Sequence, residues 1–234
     1  MNRIYLNGTG TYPFTSQEEL LEYIDDKKEI LIAINAEKIL SQETCIKKII
    51  NDNIGYPDGI GAIMALRRKG IRAEKIPGAR LWLEIVKKYW RVKTFYLIGS
   101  TQEVIEQTFK NLQIQFPEIQ IVNYRNGYFA IEELSEIIKD LKEKEPDVVF
   151  VAMGSPKQEY IMSRLISEYP ALYMGLGGSF DLYCGKAGTV PEWWNKIFKW
   201  EGLYRTLNDF YNIKRWKRQF PVLRIIYKVV FNRL

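Results

Sequence analysis

The chain has 234 residues, 47% of them hydrophobic, enough for one sizeable core or a domain with an appendage. It contains no histidine, which excludes Ser-His-Asp and Cys-His catalysis, histidine metal sites and histidine bases, and leaves proton transfer to a carboxylate or, less often, Lys or Tyr. The net charge of +6 is uneven: from Lys186 onward eleven Lys/Arg oppose three Asp/Glu, a net of +8, so the rest is near −2.

EILIAIN, residues 29–35, is β-branched and apolar and predicts a buried strand, followed by one helix from about Ala36 to Ile50. YPDGIG, residues 56–61, reads as a Pro-Gly turn into a short helix that ends at Gly70. Ile76 to Trp90 is the next helix, with Leu81, Ile85 and Val86 on one face. From there the alternation is regular. Strands are predicted at Thr94–Ser100, Ile119–Tyr124, Val148–Gly154 and Leu172–Gly178. Helices are predicted at Thr101–Leu112, capped by Ser100 or Thr101, then at Ile131–Lys144 and Pro156–Ser167. The order predicts an α/β fold: a Rossmann-like, mostly parallel sheet flanked by helices, with its glycine exits along one edge. After Pro191 the chain is rich in aromatics and Lys/Arg, which predicts a basic helical C-terminal appendage. The expected division is an α/β catalytic domain over 1–188 and the appendage over 189–234.

No GxxxxGK[ST] or GxGxxG is present, so P-loop and dinucleotide fingerprints are missing. The absence of an Asp-x-Asp pair argues for metal independence. Cys45 and Cys184 form neither a disulfide framework nor a CxxC motif, and a reducing compartment is expected. The first residues lack a signal-peptide core, and no stretch reaches the ~18–20 apolar residues of a spanning helix, so a cytoplasmic location is expected.

Four features carry candidate chemistry, each with a plainer alternative. Asp58, between Pro57 and Gly59, is a turn residue or a general base. Asn35, just past a strand, is a helix cap or a ligand of a sugar hydroxyl. The turn Gly154-Ser155-Pro156-Lys157-Gln158-Glu159 caps a helix or presents a helix N-terminus to an anion. Gly175, Gly177, Gly178 and Asp181 permit tight packing or line a nucleotide pocket. The tail residues Trp193, Trp194, Phe198, Trp200, Phe210, Trp216 and Phe220, with interleaved Lys/Arg, suit a membrane surface or a packed helical cap. No nucleic-acid-binding motif accompanies them, and no nucleic-acid partner is expected.

INAEKIL (34–40), PDGIG (57–61), the G-x-PKQE of 154–159, GLGGSFD (175–181) and the E-x-LYR of 201–205 together resemble the WecG/TagA/CpsF glycosyltransferases of bacterial surface-polymer synthesis, in that family's order and spacing. INAEK and VAMGSPKQE look most like the enterobacterial-antigen branch. The resemblance implies inverting transfer of N-acetylmannosaminuronic acid from UDP to undecaprenyl-diphosphate-linked N-acetylglucosamine, without an obligatory metal or other cofactor. N-acetylmannosamine, as in the teichoic-acid branch, and UDP-glucose or UDP-glucuronic acid are the alternative donors. A non-catalytic sugar-nucleotide or lipid-binding protein is the alternative of another class.

It further implies Asp58 as base, and Asn35, Gly154, Pro156, Lys157, Gln158, Glu159, Gly177, Gly178 and Asp181 as donor contacts. Lys75, Arg205, Arg215 and Arg218 become diphosphate contacts. Departures from the family pattern are Ala33 for a hydroxyl residue, Lys75 for Arg, Gly202 for Trp, Thr189-Val190-Pro191 for R-A-P and Asn212 for Arg. The expected partners are a UDP-sugar, a polyprenyl-diphosphate-linked acceptor and the inner face of the bacterial cytoplasmic membrane. Tail aromatics completed by a second subunit would make a homo-oligomer.

Overall fold

The computed structural model describes residues 1–186, 188, 190, 191, 193, 194, 200–208, 210, 211, 213–217 and 219–231. A six-stranded sheet has the order β4-β3-β8-β7-β5-β6, built from β3 (Ile30–Ile34), β4 (Ile54–Pro57), β5 (Thr94–Gly99), β6 (Gln120–Arg125), β7 (Val148–Ala152) and β8 (Leu172–Gly175). The pairs β3–β8, β8–β7, β7–β5 and β5–β6 are parallel. The strands VVFVA and LYMG are buried along their whole length, as covered parallel strands must be. The expected α/β fold with a mostly parallel sheet flanked by helices is the one observed.

The chain divides into two compact units. Unit 1 holds Met1–Glu19, Ala33–Pro77 and Gly188–Leu234, and unit 2 holds Leu20–Ile32 and Gly78–Ala187. In unit 2 the core centres on Trp82 of α5 (Gly78–Tyr89), whose ring meets Phe150, Phe180 and Tyr183 edge-on at 5.7, 5.6 and 5.3 Å. Phe150 in turn stacks on Phe95, so strands β5 and β7 and helix α9 (Ser179–Tyr183) share one aromatic cluster. The remaining helices of this unit are α6 (Gln102–Gln115), α7 (Leu134–Lys144) and α8 (Lys157–Ile166). The α1 helix (Gln17–Tyr23) begins in unit 1 and ends in unit 2.

Unit 1 contains α2 (Ala36–Leu40), α3 (Thr44–Asn51), α4 (Ile60–Arg68), α10 (Glu201–Asn208), α11 (Ile213–Lys217) and α12 (Phe220–Val230). Ile225 of α12 is fully buried, and a Cβ placed on Gly61 of α4 would lie 3.7 Å from it. That is ordinary contact, whereas the same Cβ would lie 3.1 Å from Ala36 Cβ, so the glycine is what lets α4 approach α2. Three features differ from the sequence expectation. The helix expected over 36–50 breaks at Ser41, because its hydroxyl accepts the Glu43 N–H at 3.2 Å and the backbone there is extended. Residues 4–11 form an unforeseen hairpin, β1 (Ile4–Leu6) and β2 (Thr9–Thr11), turned by Asn7 and Gly8 at φ 51 and 79°. The turn expected at 56–61 also starts late: Tyr56 and Pro57 belong to β4, and Asp58 is the first residue past it.

The ends of β5 and β7 come together without side chains. A Cβ on Gly99 would sit 2.3 Å from the Ala152 carbonyl oxygen, and Gly99 has φ 139°. Gly99→Ala is therefore expected to lower stability by about 1–3 kcal/mol, because backbone lies on both sides of the clash. Chemical denaturation measures this, and an unchanged midpoint would contradict the packing described.

Candidate active site

In unit 2 the chain leaves β5 for β6 on one side and then returns across to β7 on the other. That reversal is the switch point of the sheet, where open α/β sheets bind ligands beyond the strand ends. Ser100 follows β5 with φ 52°, in the left-handed region that non-glycine residues seldom occupy. Its N–H donates to the Ala152 carbonyl at 2.9 Å, and its own carbonyl accepts the Gly127 N–H at 3.0 Å. A Cβ on Gly127 would lie 3.0 Å from Gly99 Cα and 3.1 Å from Met153 Cγ. The exits of β5, β6 and β7 thus meet backbone to backbone.

Side chains converge on this junction. Ser100 Oγ donates to Asp181 Oδ2 at 3.1 Å, and Lys157 Nζ donates to the Gly127 carbonyl at 3.3 Å. Lys157 and Arg125 both lie over the Phe129 ring, at 5.7 and 5.1 Å, and Arg125 also pairs with Glu133 at 3.4 Å. Beside them Tyr128 stands out into solvent. Gly154 has φ 76°, and nothing lies within 4 Å of a Cβ placed on it. The same openness holds at Gly177, with φ 58°, and at Gly178. Pro156 then precedes the first turn of α8, and the Gln158 N–H returns to the Gly154 carbonyl at 2.9 Å.

Gln158 and Glu159 lie inward. Gln158 is 4% exposed, and its Oε1 accepts the Gly177 N–H at 2.9 Å. Its Nε2 donates to Glu159 Oε1 at 3.3 Å, and Glu159 is fully buried. Gly175 makes room for this amide, since a Cβ there would meet Gln158 Nε2 at 2.5 Å. The structure therefore uses Gln158 to lock the 175–178 turn to α8.

Unit 1 brings a second group together. The Asp58 N–H donates to the Ile34 carbonyl at 3.1 Å, which sets Asp58 at the end of β4 beside the last residue of β3. A Cβ on Gly59 would be 3.5 Å from Asn35 Cβ, so the Asp58-Gly59 turn sits against Asn35. Asn35 Oδ1 caps α2 by accepting the Lys38 N–H at 3.1 Å. The Ile76 N–H donates to the Pro57 carbonyl at 2.9 Å, placing Lys75 and Asp58 one residue either side of one hydrogen bond. Lys75 Nζ pairs with Glu201 Oε1 at 3.0 Å, with side chains 14% and 22% exposed. Arg205 lies on α10 and Arg215 on α11, but their side chains, and Arg218 entirely, fall outside the described residues.

Sequence reasoning missed three residues. Lys38 is 6% exposed and donates through Nζ to the Ala33 carbonyl at 3.0 Å, tying α2 to the end of β3. Nothing in INAEKIL signals that its lysine turns inward. Ser100 was expected only as a cap, a task Thr101 performs through the Val104 N–H at 3.3 Å. Gly127 lies outside every sequence motif, and only the adjacent strand ends reveal its role. Among the described residues no three His, Cys, Asp or Glu side chains gather as a metal site, and no helix is long and apolar enough to cross a membrane. Both cysteines are free thiols.

Compared with known protein families, residues 10–234 match the glycosyl transferase WecG/TagA/CpsF family. Within the site just described, Gln158→Ala would leave the Gly177 N–H without its partner. The expected cost is about 1–3 kcal/mol, roughly 3–10 °C in melting temperature. A melting curve superimposable on that of the parent would show that the amide does not hold the turn.

Proposed function

Because the chain belongs to the WecG/TagA/CpsF glycosyltransferase family, we propose that it moves N-acetylmannosaminuronic acid, an N-acetylmannosamine-type sugar, from UDP to a polyprenyl-diphosphate-linked N-acetylglucosamine with inversion. The observation that carries this reading is the placement of Asp58: a half-buried carboxylate held at a strand end by its own N–H, against Asn35 and within one hydrogen-bonded step of Lys75. In a chain without histidine, it is the carboxylate best set to act as base.

Asp58 takes the proton of the acceptor hydroxyl as that oxygen attacks the anomeric carbon. The new C–O bond forms while the bond to UDP breaks, and UDP leaves with the electron pair. Unit 2 holds the donor. The positive end of α8 and the ammonium of Lys157 offer charge to a diphosphate. Gly154, Gly177 and Gly178 leave backbone open to it beside the exposed ring of Pro156, and Asp181, held by Ser100, offers a carboxylate to a ribose or sugar hydroxyl. Gln158 and Glu159 act from beneath by fixing the two turns. Lys75, Arg205, Arg215 and Arg218 answer to the diphosphates of acceptor or leaving group. No metal is required for these steps.

The tail serves the same chemistry at a membrane surface. Along α12 and the residue that ends it, exposed Phe220, Leu223, Tyr227 and Phe231 recur at three- and four-residue spacing, opposite buried Ile225, and Lys217, Arg224 and Lys228 accompany them. Such a face suits docking on an anionic leaflet from the cytoplasmic side, with residues 189–234 as a basic appendage to the catalytic domain.

The test is UDP release in EDTA from a panel of UDP-sugars, with and without a lipid-diphosphate N-acetylglucosamine acceptor. The expectation is acceptor-dependent release with UDP-N-acetylmannosaminuronic acid, a product of inverted anomeric configuration, and a loss of about 100-fold or more in Asp58→Asn with UDP affinity retained. Release with another UDP-sugar would move the donor and keep the chemistry. Near-normal turnover by Asp58→Asn would refute the base.

A further inference from the structure

Unit 1 contains a cavity of about 710 Å³ whose walls combine Ile60, Ile63 and Ile71 with Arg67, Arg72 and Lys75. That volume lies within the ~300–1,000 Å³ of small-molecule sites. Helix α4 supplies Ile60, Ile63 and Arg67 from one face, at spacings of three and four residues. Gly70, at φ 73°, ends the helix and turns the chain back to supply the other three. The returning wall is fixed by Ile71 N–H to the Leu66 carbonyl at 3.0 Å and by Glu74 N–H to the Phe14 carbonyl at 2.8 Å.

The lining is chemically divided. A small polar metabolite gains nothing from three isoleucines, and a plain hydrocarbon gains nothing from two guanidinium groups. A ligand that joins an apolar chain to a phosphate satisfies both. Lys75 is held by Glu201, whereas Arg67 and Arg72 make no ion pair among the described residues. Glu74 also lines the cavity and opposes an anion, so the anion needs both guanidinium forks. The α4 helix starts two residues after Asp58, so the helix that walls the cavity begins beside the proposed base.

We propose that this cavity binds the prenyl diphosphate portion of the acceptor, with the first isoprene units against Ile60, Ile63 and Ile71 and the phosphates against Arg67 and Arg72. The assignment rests on the lipid-linked acceptor of the function proposed above and adds the residues that select it.

Farnesyl diphosphate, isopentenyl diphosphate, inorganic diphosphate and phosphatidylglycerol vesicles are titrated calorimetrically into the full chain, the Arg67→Ala/Arg72→Ala variant and an Ile71→Ser variant. The parent is expected to bind farnesyl diphosphate at least about tenfold more tightly than the two shorter probes. The double arginine variant should lose about tenfold or more for farnesyl diphosphate while keeping its circular dichroism spectrum and its UDP affinity. Ile71→Ser should weaken farnesyl diphosphate and leave inorganic diphosphate unchanged. Farnesyl diphosphate affinity within twofold of the parent in both variants would overturn the proposal. So would a loss in the arginine variant confined to phosphatidylglycerol vesicles, which would make the arginines a membrane contact. If farnesyl diphosphate binding behaves as expected but no UDP-sugar is turned over, the transfer reading fails and the cavity assignment stands. If transfer proceeds and the double variant keeps the parent KM for a long-chain acceptor, the cavity assignment fails alone.

Discussion

Two neighbouring strand ends in unit 2 have to touch with no side chain between them, and much of the candidate donor site follows from that contact. Gly99 is pressed on the Ala152 carbonyl, which carries Ser100 into the left-handed region and aims its hydroxyl at Asp181. Gly127 then closes on Gly99 from the β6 exit and offers its carbonyl to Lys157. Four chain segments are registered against one another by glycine and backbone hydrogen bonds. A surface that must follow a diphosphate closely is well made in this way, because glycine admits close approach and a backbone fixed by its own hydrogen bonds costs no ordering when a ligand arrives.

Unit 1 solves a different problem, that of holding one carboxylate at a strand end. The Asp58 N–H is spent on Ile34, the following glycine packs on Asn35, and the preceding carbonyl is taken by Ile76. Asn35 shows why the two explanations of such a residue are compatible. Its carboxamide oxygen caps α2, a job that any Asn, Asp or Ser would do, yet the capping geometry is also what holds the side chain against the Asp58-Gly59 turn. The Lys75–Glu201 pair links the 70–77 segment to α10, so the C-terminal helices are tied into this unit by charge as well as by Ile225.

The sheet was legible because buried parallel strands are continuous apolar runs, and VVFVA and TFYLIG admit little else. The glycine turns were legible as strand exits for the same reason. The hairpin at 4–11 was not, since three-residue strands carry almost no pattern and the Asn7-Gly8 signal stood alone. The break at Ser41 depends on one hydroxyl choosing a backbone donor two residues away, which the periodicity of 36–50 conceals. Among site residues, Asp58 and Lys157 sit in motifs whose chemistry is visible in one dimension. Gln158 shares such a motif, but its side chain turns inward, and only the packing against Gly175 reveals that. Lys38, Ser100 and Gly127 owe their roles to neighbours far away in sequence.

Amide NMR of the full chain titrated with UDP tests whether the nucleotide sits at the glycine-lined switch point of unit 2. UDP is expected to shift the amides of Ser100, Gly127, Gly154 and Gly177 first and most. Shifts confined to residues 35–75, with those four amides unmoved, would contradict it.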